Sequence, residues 1–195
     1  MGNSAEVASQ KSTDLKKSTI FIAGVYGVGK STMCSALAKM LHIPAFSAGD
    51  LIGLINGEKY GASKAVIDKE SNQAILVERI QQLLKQNERI VLAGHFCIFN
   101  SNAGIEILPE SVYSALSISQ IILLEANAQT IISNLCRRDG MDYSLRSISE
   151  LIEKEREQSK RIAARLNCPL IIYQMTFTDQ DVKQIALLIG EGEGI

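Results

Sequence analysis

Eight consecutive residues near the start of the chain have the types and spacing of a phosphate-binding loop. Residues 24–31, GVYGVGKS, match the pattern G-x-x-x-x-G-K-[ST] in full. In such a loop the backbone N–H groups point at phosphate oxygens, and the glycines allow the close approach. Lys30 adds a mobile cation for the β- and γ-phosphates, and the Ser31 hydroxyl is a magnesium ligand. The motif therefore predicts binding of ATP with Mg²⁺, and the expected contacts are Gly24, Gly27, Val28, Gly29, Lys30, Ser31 and Thr32.

The segments around this loop have the order that the motif requires. Residues 18–23 predict a buried strand before the loop, and residues 31–41 predict a helix after it. Further strands are predicted at 44–46, 89–93, 119–124 and 169–173, and further helices at 50–56, 63–86, 128–138, 148–166 and 179–189. Strands that alternate with helices imply right-handed crossovers and a parallel sheet, so the fold class is α/β. In such a sheet ligands bind at the carboxyl ends of the strands, where the loop lies.

Composition limits the classes of protein and partner. The chain has 195 residues and 46% hydrophobic residues, which suits one domain with a real core. Residues 1–17 are read as a flexible leader and residues 18–195 as a single domain. The net charge of −1 gives no general attraction to nucleic acid, and no apolar run is long enough for a membrane span. Four scattered cysteines indicate neither a zinc site nor a disulfide framework, so a cytoplasmic protein is expected.

A cluster of arginines predicts a lid over the phosphates. Arg137, Arg138 and Arg146 flank the polar, glycine-containing loop at residues 139–144. Arginines suit a phosphoryl group in transfer because its charge is spread over several oxygens. A mobile loop can close them over ATP and exclude water. The alternative is a helix end whose cations face solvent. The short chain and the absence of an N-K-x-D motif favour a small-molecule kinase over a switch GTPase.

Four segments resemble the archaeal-type adenylate kinases and the related eukaryotic nuclear adenylate kinase-like proteins. They are GVYGVGKST at 24–32, FSAGDLI at 46–52, LAGHFCIF at 92–99 and the stretch 136–173. The resemblance covers roughly residues 18–175. It implies a three-layer P-loop NTPase fold, in which helices flank a five-stranded parallel sheet of order 2-3-1-4-5. It also implies a nucleoside monophosphate kinase with an acceptor-binding helical region at about 50–87 and a lid at about 137–147.

The resemblance also suggests residues for the acceptor site. Asp50 is expected beside the acceptor, and Gln73 to read its base, whereas the plain alternatives are a helix N-cap and a solvated helix face. His95 stands in a family D-x-H motif and is expected to contact the acceptor phosphate or the attacking oxygen. The alternative for His95 is a loop histidine bonded to backbone. Arg161 is in line with a family arginine that contacts substrate, as Arg146 and Arg138 are expected to do from the lid.

Two departures from the family pattern affect magnesium and the acceptor. Ala93 stands where an acidic residue usually helps to hold magnesium. Either Asp50 supplies the carboxylate, or Ser31 and the phosphates suffice, or catalysis is weak. Leu51-Ile52-Gly53 follow Asp50 where the family has an arginine, and Lys59, Lys64 or Lys69 could take the acceptor phosphate instead.

Three functions follow from these residues. The first is transfer of the γ-phosphate of ATP to a nucleoside monophosphate, with AMP as the default and with Lys30, Arg138 and His95 as catalytic residues. The second is a regulatory or assembly ATPase with slow hydrolysis, which the alanine at position 93 motivates. The third is a kinase for a non-nucleotide metabolite. Each needs ATP and Mg²⁺, the kinases need a small phosphate acceptor, and self-association is left open.

Overall fold

A computed structural model describes residues 17–56, 69–100 and 104–191 of the chain. The strands are β1 (Ser18–Ala23), β2 (Ala45–Ser47), β3 (Arg89–Ala93), β4 (Cys97–Asn100), β5 (Gly104–Ile107), β6 (Ile118–Glu125) and β7 (Leu170–Gln174). The helices are α1 (Lys30–Leu41), α2 (Ala48–Asn56), α3 (Lys69–Gln86), α4 (Glu110–Ala115), α5 (Ala128–Asp139), α6 (Leu145–Leu166) and α7 (Asp179–Glu191).

Five strands form one parallel sheet in the order β2-β3-β1-β6-β7. Because β6 and β7 are the fourth and fifth strands of this sheet, the predicted α/β fold class and the order 2-3-1-4-5 are confirmed. Helices connect the successive parallel strands, as crossover connections require. The order puts β1, and so the phosphate-binding loop, between β3 and β6 at the centre of the sheet.

The central strands are buried on both faces. Residues 20–23 of β1, 90–93 of β3 and 121–124 of β6 are all buried, which explains their nearly continuous apolar sequences. The apolar stripes of α1 and α6 cover the sheet through Leu37, Leu151 and Ile162, each at most 1% exposed. This packing holds the carboxyl ends of the three strands rigidly together beneath the loop.

Two features of the fold were not predicted. Strands β4 and β5 pair antiparallel in a separate two-stranded sheet, and α4 is a short helix after Pro109. Each of these elements is at most six residues long, so its sequence carries little periodic signal. The hairpin begins at Cys97, two residues after His95, and it therefore determines the path of the chain beyond His95.

The loop between the two helices that flank the predicted lid is shorter than the predicted region at about 137–147, and the lid itself stays a prediction. Helix α5 runs to Asp139 and ends where Gly140 adopts a left-handed φ of +67°. Helix α6 begins at Leu145, and the Ser144 hydroxyl accepts the N–H of Ser147 at 3.4 Å as a cap. Residues 140–144 therefore form the connecting loop, and Arg137 and Arg138 lie in the last turn of α5.

Parts of the predicted regions lie outside the described residues. Residues 1–16 of the expected leader and residues 57–68 of the expected acceptor region do so, and with them Lys59 and Lys64. The side chain of Lys69 is also outside the described part. In the ranges that are described, no helix combines the length and apolar character needed to cross a membrane.

Candidate functional site

The phosphate-binding loop joins β1 to α1 with glycines in conformations that other residues rarely adopt. Gly27 and Gly29 have φ of +78° and +98°. A Cβ added to Gly24 would lie 2.6 Å from the backbone oxygen of Leu124 in the neighbouring strand. Helix α1 begins directly after Gly29 with no side-chain cap, so its first N–H groups remain free for an anion. The loop therefore has the cradle that its sequence predicts.

Lys30 lies within this loop and is only 9% exposed. Its Nζ donates to the backbone oxygens of Gly24 at 2.7 Å and Val25 at 2.9 Å. Burial lowers the pKa of Lys30 to about 8, while the charge of Glu155 acts in the opposite direction. Ser31 and Thr32 follow in the first turn of α1 and are exposed. A cation and two hydroxyls are thus concentrated at one end of the helix.

Val28 contributes to the loop through its backbone and its packing. Its side chain is fully buried, and its N–H donates to the oxygen of Val25 at 3.4 Å. Asn134 of α5 supports the same loop, because its side-chain amide donates to the oxygen of Gly27 at 2.9 Å. These contacts brace the loop against both the core and the helix that carries the lid arginines.

A buried carboxylate that was not predicted lies behind the loop. Glu155 of α6 is 1% exposed and accepts three backbone N–H groups. One comes from Gly24 of the loop at 3.2 Å, and the others come from Phe96 at 3.0 Å and Cys97 at 2.7 Å. Burial raises the pKa of Glu155, whereas the N–H of Phe96 and the charge of Lys30 act against that rise.

The sequence did contain a signal for Glu155. The residue falls on the apolar stripe of α6, four positions after Leu151 and seven before Ile162, where a charged residue is out of place. A charged side chain on a buried stripe requires partners. Its partners are N–H groups from distant segments, and the helix sequence does not identify them.

His95 lies beside the phosphate-binding loop, as predicted. Its ring packs on Tyr26 with the ring centroids 4.2 Å apart. Burial, and next the charge of Lys30, hold the pKa of His95 well below its usual value, so the imidazole is neutral; a hydrogen bond with the backbone of Gly24 acts against this shift and agrees with the alternative of a histidine bonded to backbone. Its Nδ1 is buried and has no hydrogen-bond partner among the described residues. The Tyr113 hydroxyl donates to the backbone oxygen of His95 at 2.6 Å and holds the loop in place.

The lid arginines differ in their contacts. Arg138 makes two hydrogen bonds to Asp139, of 2.6 and 2.7 Å, and the Tyr143 hydroxyl donates to the same carboxylate. The Arg138 guanidinium, and next the Tyr143 hydroxyl, lower the pKa of Asp139 to about 2. After burial, which is the main cause, the Arg138 charge also contributes to the lowered pKa of Lys30. All three arginines are exposed, Arg138 with 57% of its side chain, and Arg137 and Arg146 are the other two.

The acceptor-site candidates are more dispersed. Asp50 is exposed in the first turn of α2, and its backbone N–H points to the Ser47 hydroxyl at 3.4 Å. The N-cap alternative for Asp50 is therefore wrong, because Ser47 has that position. Gln73 is half-buried on α3. Arg161 forms an ion pair with Glu110 at the start of α4, and its predicted substrate contact stays a prediction.

The segment after β7 also reaches the phosphate-binding loop. The side-chain ends of Met175 and Phe177 lie within van der Waals distance of where a Cβ on Gly29 would be, at 3.7 and 4.0 Å. Asp181, which is 1% exposed, holds this segment by accepting the Thr176 hydroxyl at 2.7 Å and the Tyr173 hydroxyl at 3.0 Å. These residues were not predicted, because nothing in the sequence relates this segment to a loop about 150 residues earlier.

The larger part of the chain matches the model of a known protein family. The model of a family described as "AAA domain" matches residues 23–152, which include the phosphate-binding loop, His95 and the lid region. A search of curated protein sequences found no match.

Solved structures share the fold over nearly the whole chain. A shikimate kinase from Aquifex aeolicus has a TM-score of 0.59 at 18% identity, covering 91% of this chain and 99% of its own. A gluconokinase from Sinorhizobium meliloti has a TM-score of 0.56 at 14% identity, covering 91% and 95%. The tunicamycin resistance protein of Deinococcus radiodurans has a TM-score of 0.63 at 13% identity, covering 92% and 96%. At these identities the likeness is one of fold.

Proposed function

This chain belongs to the AAA domain family, and on that premise we propose that it is an ATP-dependent kinase for a small hydroxyl-bearing metabolite. One observation carries the proposal. A complete phosphate-binding loop, with Lys30 inside it, lies next to a neutral His95. A donor site and a polar group beside it are what phosphoryl transfer to a second substrate requires.

The reaction would proceed by in-line displacement. The acceptor hydroxyl attacks the γ-phosphorus, the bond to the β–γ bridging oxygen breaks, and ADP leaves with the electron pair. Lys30 and Arg138 would stabilise the charge on the phosphate oxygens. His95 has a strongly lowered pKa and is a weak base, so it would orient the hydroxyl while the proton passes to solvent.

Magnesium fits this site through oxygen ligands. Ser31 is exposed at the start of α1, next to Lys30, and its hydroxyl would bind a magnesium ion carried by the phosphates. Asp50 is an exposed carboxylate on α2 and is the predicted second contact. When bound, the ion would neutralise charge on the β- and γ-phosphates. No cluster of three His, Cys, Asp or Glu side chains suited to a metal occurs in the described ranges.

Two observations favour a metabolite over a nucleotide as acceptor. The solved structures that share the fold over nine-tenths of the chain include kinases named for gluconate and shikimate. Helix α2, which follows β2 at the carboxyl edge of the sheet, contains no lysine or arginine, so an acceptor phosphate would have to rely on Lys59, Lys64 or Lys69. A nucleoside monophosphate remains the second candidate, because four segments resemble adenylate kinases.

Acceptor-dependent formation of ADP tests the proposal. Purified chain with Mg²⁺ and ATP is assayed against hydroxy acids, sugar acids, sugars and nucleoside monophosphates, with Lys30→Ala as the inactive control. We expect one hydroxyl-bearing metabolite to accelerate ADP formation well above the background. Acceleration by AMP or another monophosphate alone would replace the metabolite with a nucleotide acceptor. Slow hydrolysis that is indifferent to every acceptor would instead favour the regulatory ATPase.

A further inference from the structure

The buried carboxylates outside the phosphate-binding loop differ in their hydrogen-bond partners. Glu125 pairs with the guanidinium of Arg156, and Asp181 holds the segment after β7. Glu155 is different, because its hydrogen bonds come from backbone N–H groups of two loops at the candidate site. The strand end at Ala93 lacks a carboxylate, and Glu155 brings one from α6 to the neighbouring residues 96 and 97.

We propose that Glu155 is a positioning residue for phosphoryl transfer, whose carboxylate ties the phosphate-binding loop to the His95 loop and is the counter-charge of Lys30. This inference rests on the proposed function. Glu155 acts through these groups, since its two oxygens are already occupied by N–H donors from Gly24, Phe96 and Cys97. It is therefore not a free ligand for magnesium.

The three hydrogen bonds link the phosphate-binding loop to the segment that follows His95. Gly24 begins the phosphate-binding loop, and Phe96 immediately follows His95. Because one carboxylate binds both loops, it keeps His95 packed on Tyr26 and holds the backbone of Gly24 in the phosphate-binding loop. Because α6 begins at the lid loop, the same rigid helix also joins Glu155 to the lid.

The charge of Glu155 matters in addition to its hydrogen bonds. Four titratable groups interact electrostatically with Lys30: Glu155 from α6, Cys34 from α1, Arg138 from α5 and His95 after β3. Burial raises the pKa of Cys34 to about 12, so its thiol is neutral, and His95 is neutral as well. Glu155 is thus the carboxylate among these four groups, and its three N–H donors favour the charged form that would balance Lys30.

Two substitutions separate charge from shape. Glu155→Gln keeps the length of the side chain but removes its charge, and turns an amide N–H₂ toward N–H donors. Glu155→Asp keeps the charge but is one methylene shorter. The affinity of each variant for Mg²⁺-ATP is measured by calorimetry, beside thermal unfolding, with the full chain. Glu153→Gln is the matched control, because Glu153 is exposed on the same helix.

We expect Glu155→Gln to weaken Mg²⁺-ATP binding about 10-fold. We expect Glu155→Asp to stay within about 3-fold of the unmodified chain, and Glu153→Gln to have no effect. If the loss of ATP affinity in the two variants only follows their loss of thermal stability, or if Glu155→Asp binds ATP less tightly than Glu155→Gln, the role is purely structural and the inference is overturned. Tighter ATP binding by Glu155→Gln would also overturn it, because the carboxylate would then only repel phosphate.

Two further outcomes of these measurements also support or overturn the inference. If Glu155→Gln does not fold, a folded Glu155→Asp that binds within about 3-fold supports the inference, and a loss of more than about 30-fold overturns it. If the unmodified chain does not bind Mg²⁺-ATP, the proposed function fails and the inference with it. A reversed order with normal binding by the unmodified chain removes the inference alone.

Discussion

Gly94 separates β3 from His95, and its replacement by alanine tests the packing beneath the site. A Cβ at position 94 would lie 2.5 Å from Cζ and 2.7 Å from Cε2 of Phe21. No ordinary contact is that short, so either the ring or the strand end must move. The glycine is required here by space, because its backbone is not in the left-handed region.

The neighbours of Phe21 determine how much Gly94→Ala destabilises the fold. Its ring is 2% exposed and packs against Phe96 at 5.3 Å and Tyr113 at 5.7 Å between ring centroids. The ring therefore has no open space into which it can rotate. Overpacking of this kind costs about 1–3 kcal/mol of unfolding free energy. For a chain of this size, that lowers the melting temperature by roughly 2–12 °C.

The assay is thermal and urea unfolding of Gly94→Ala beside Gly190→Ala. Gly190 lies near the end of α7, and a Cβ there meets nothing within 4 Å. The same substitution at that position should leave the melting temperature unchanged or raise it by up to about 4 °C. Equal stability of Gly94→Ala and the unmodified chain would refute the packing described for Phe21, and with it the account of why a glycine precedes His95.

Three further predictions follow from the site. Burial alone would raise the pKa of Asp181, but hydrogen bonds from Thr176 and Tyr173 lower it. The contribution of Asp181 to folding stability is therefore complete above the ordinary aspartate pKa, and it is lost as pH falls through the lowered pKa. Asp181→Asn should therefore cost about 1–3 kcal/mol near neutral pH and less in acid, measured by urea unfolding from pH 7 to pH 2; a constant difference would contradict this. Burial raises the pKa of Cys34 and Cys97 to about 12, so at pH 8 neither thiol should react with iodoacetamide in the folded chain. Mass spectrometry of rapidly labelled protein checks this, and modification of either cysteine would contradict it. Arg138→Ala should slow phosphoryl transfer at least about 10-fold, while Asp139→Asn should retain transfer within about 3-fold because it only releases the arginine; equal losses would assign the pair a structural role.

Some of the site could be predicted because its information is local. The residues of the phosphate-binding loop are contiguous, and their glycines and lysine determine its backbone and charge together. The three central strands of the sheet are equally local, since each contains a continuous apolar run whose burial follows from its own residues. The position of His95 at a strand end also followed, because parallel strands end at one edge of a sheet.

The hairpin of β4 and β5 and the boundaries of the lid needed the whole chain. Ser144 begins α6 earlier than periodicity indicated, because capping rather than apolar spacing decides where that helix starts. Arg161 matched a family position by alignment along the chain, yet its side chain pairs with Glu110. A match in sequence order does not determine which neighbour a long, flexible side chain selects.

The sequence by itself determined that this protein has a phosphate-binding loop on a parallel α/β sheet, because both depend on patterns within short segments. Only the tertiary structure decided that Glu155 lies behind that loop, since Glu155 and Gly24 are 131 residues apart. It also decided that His95 is neutral, because burial and the charge of Lys30 set its pKa. Partners, burial and charge balance arise when distant segments pack together, and no single segment encodes them.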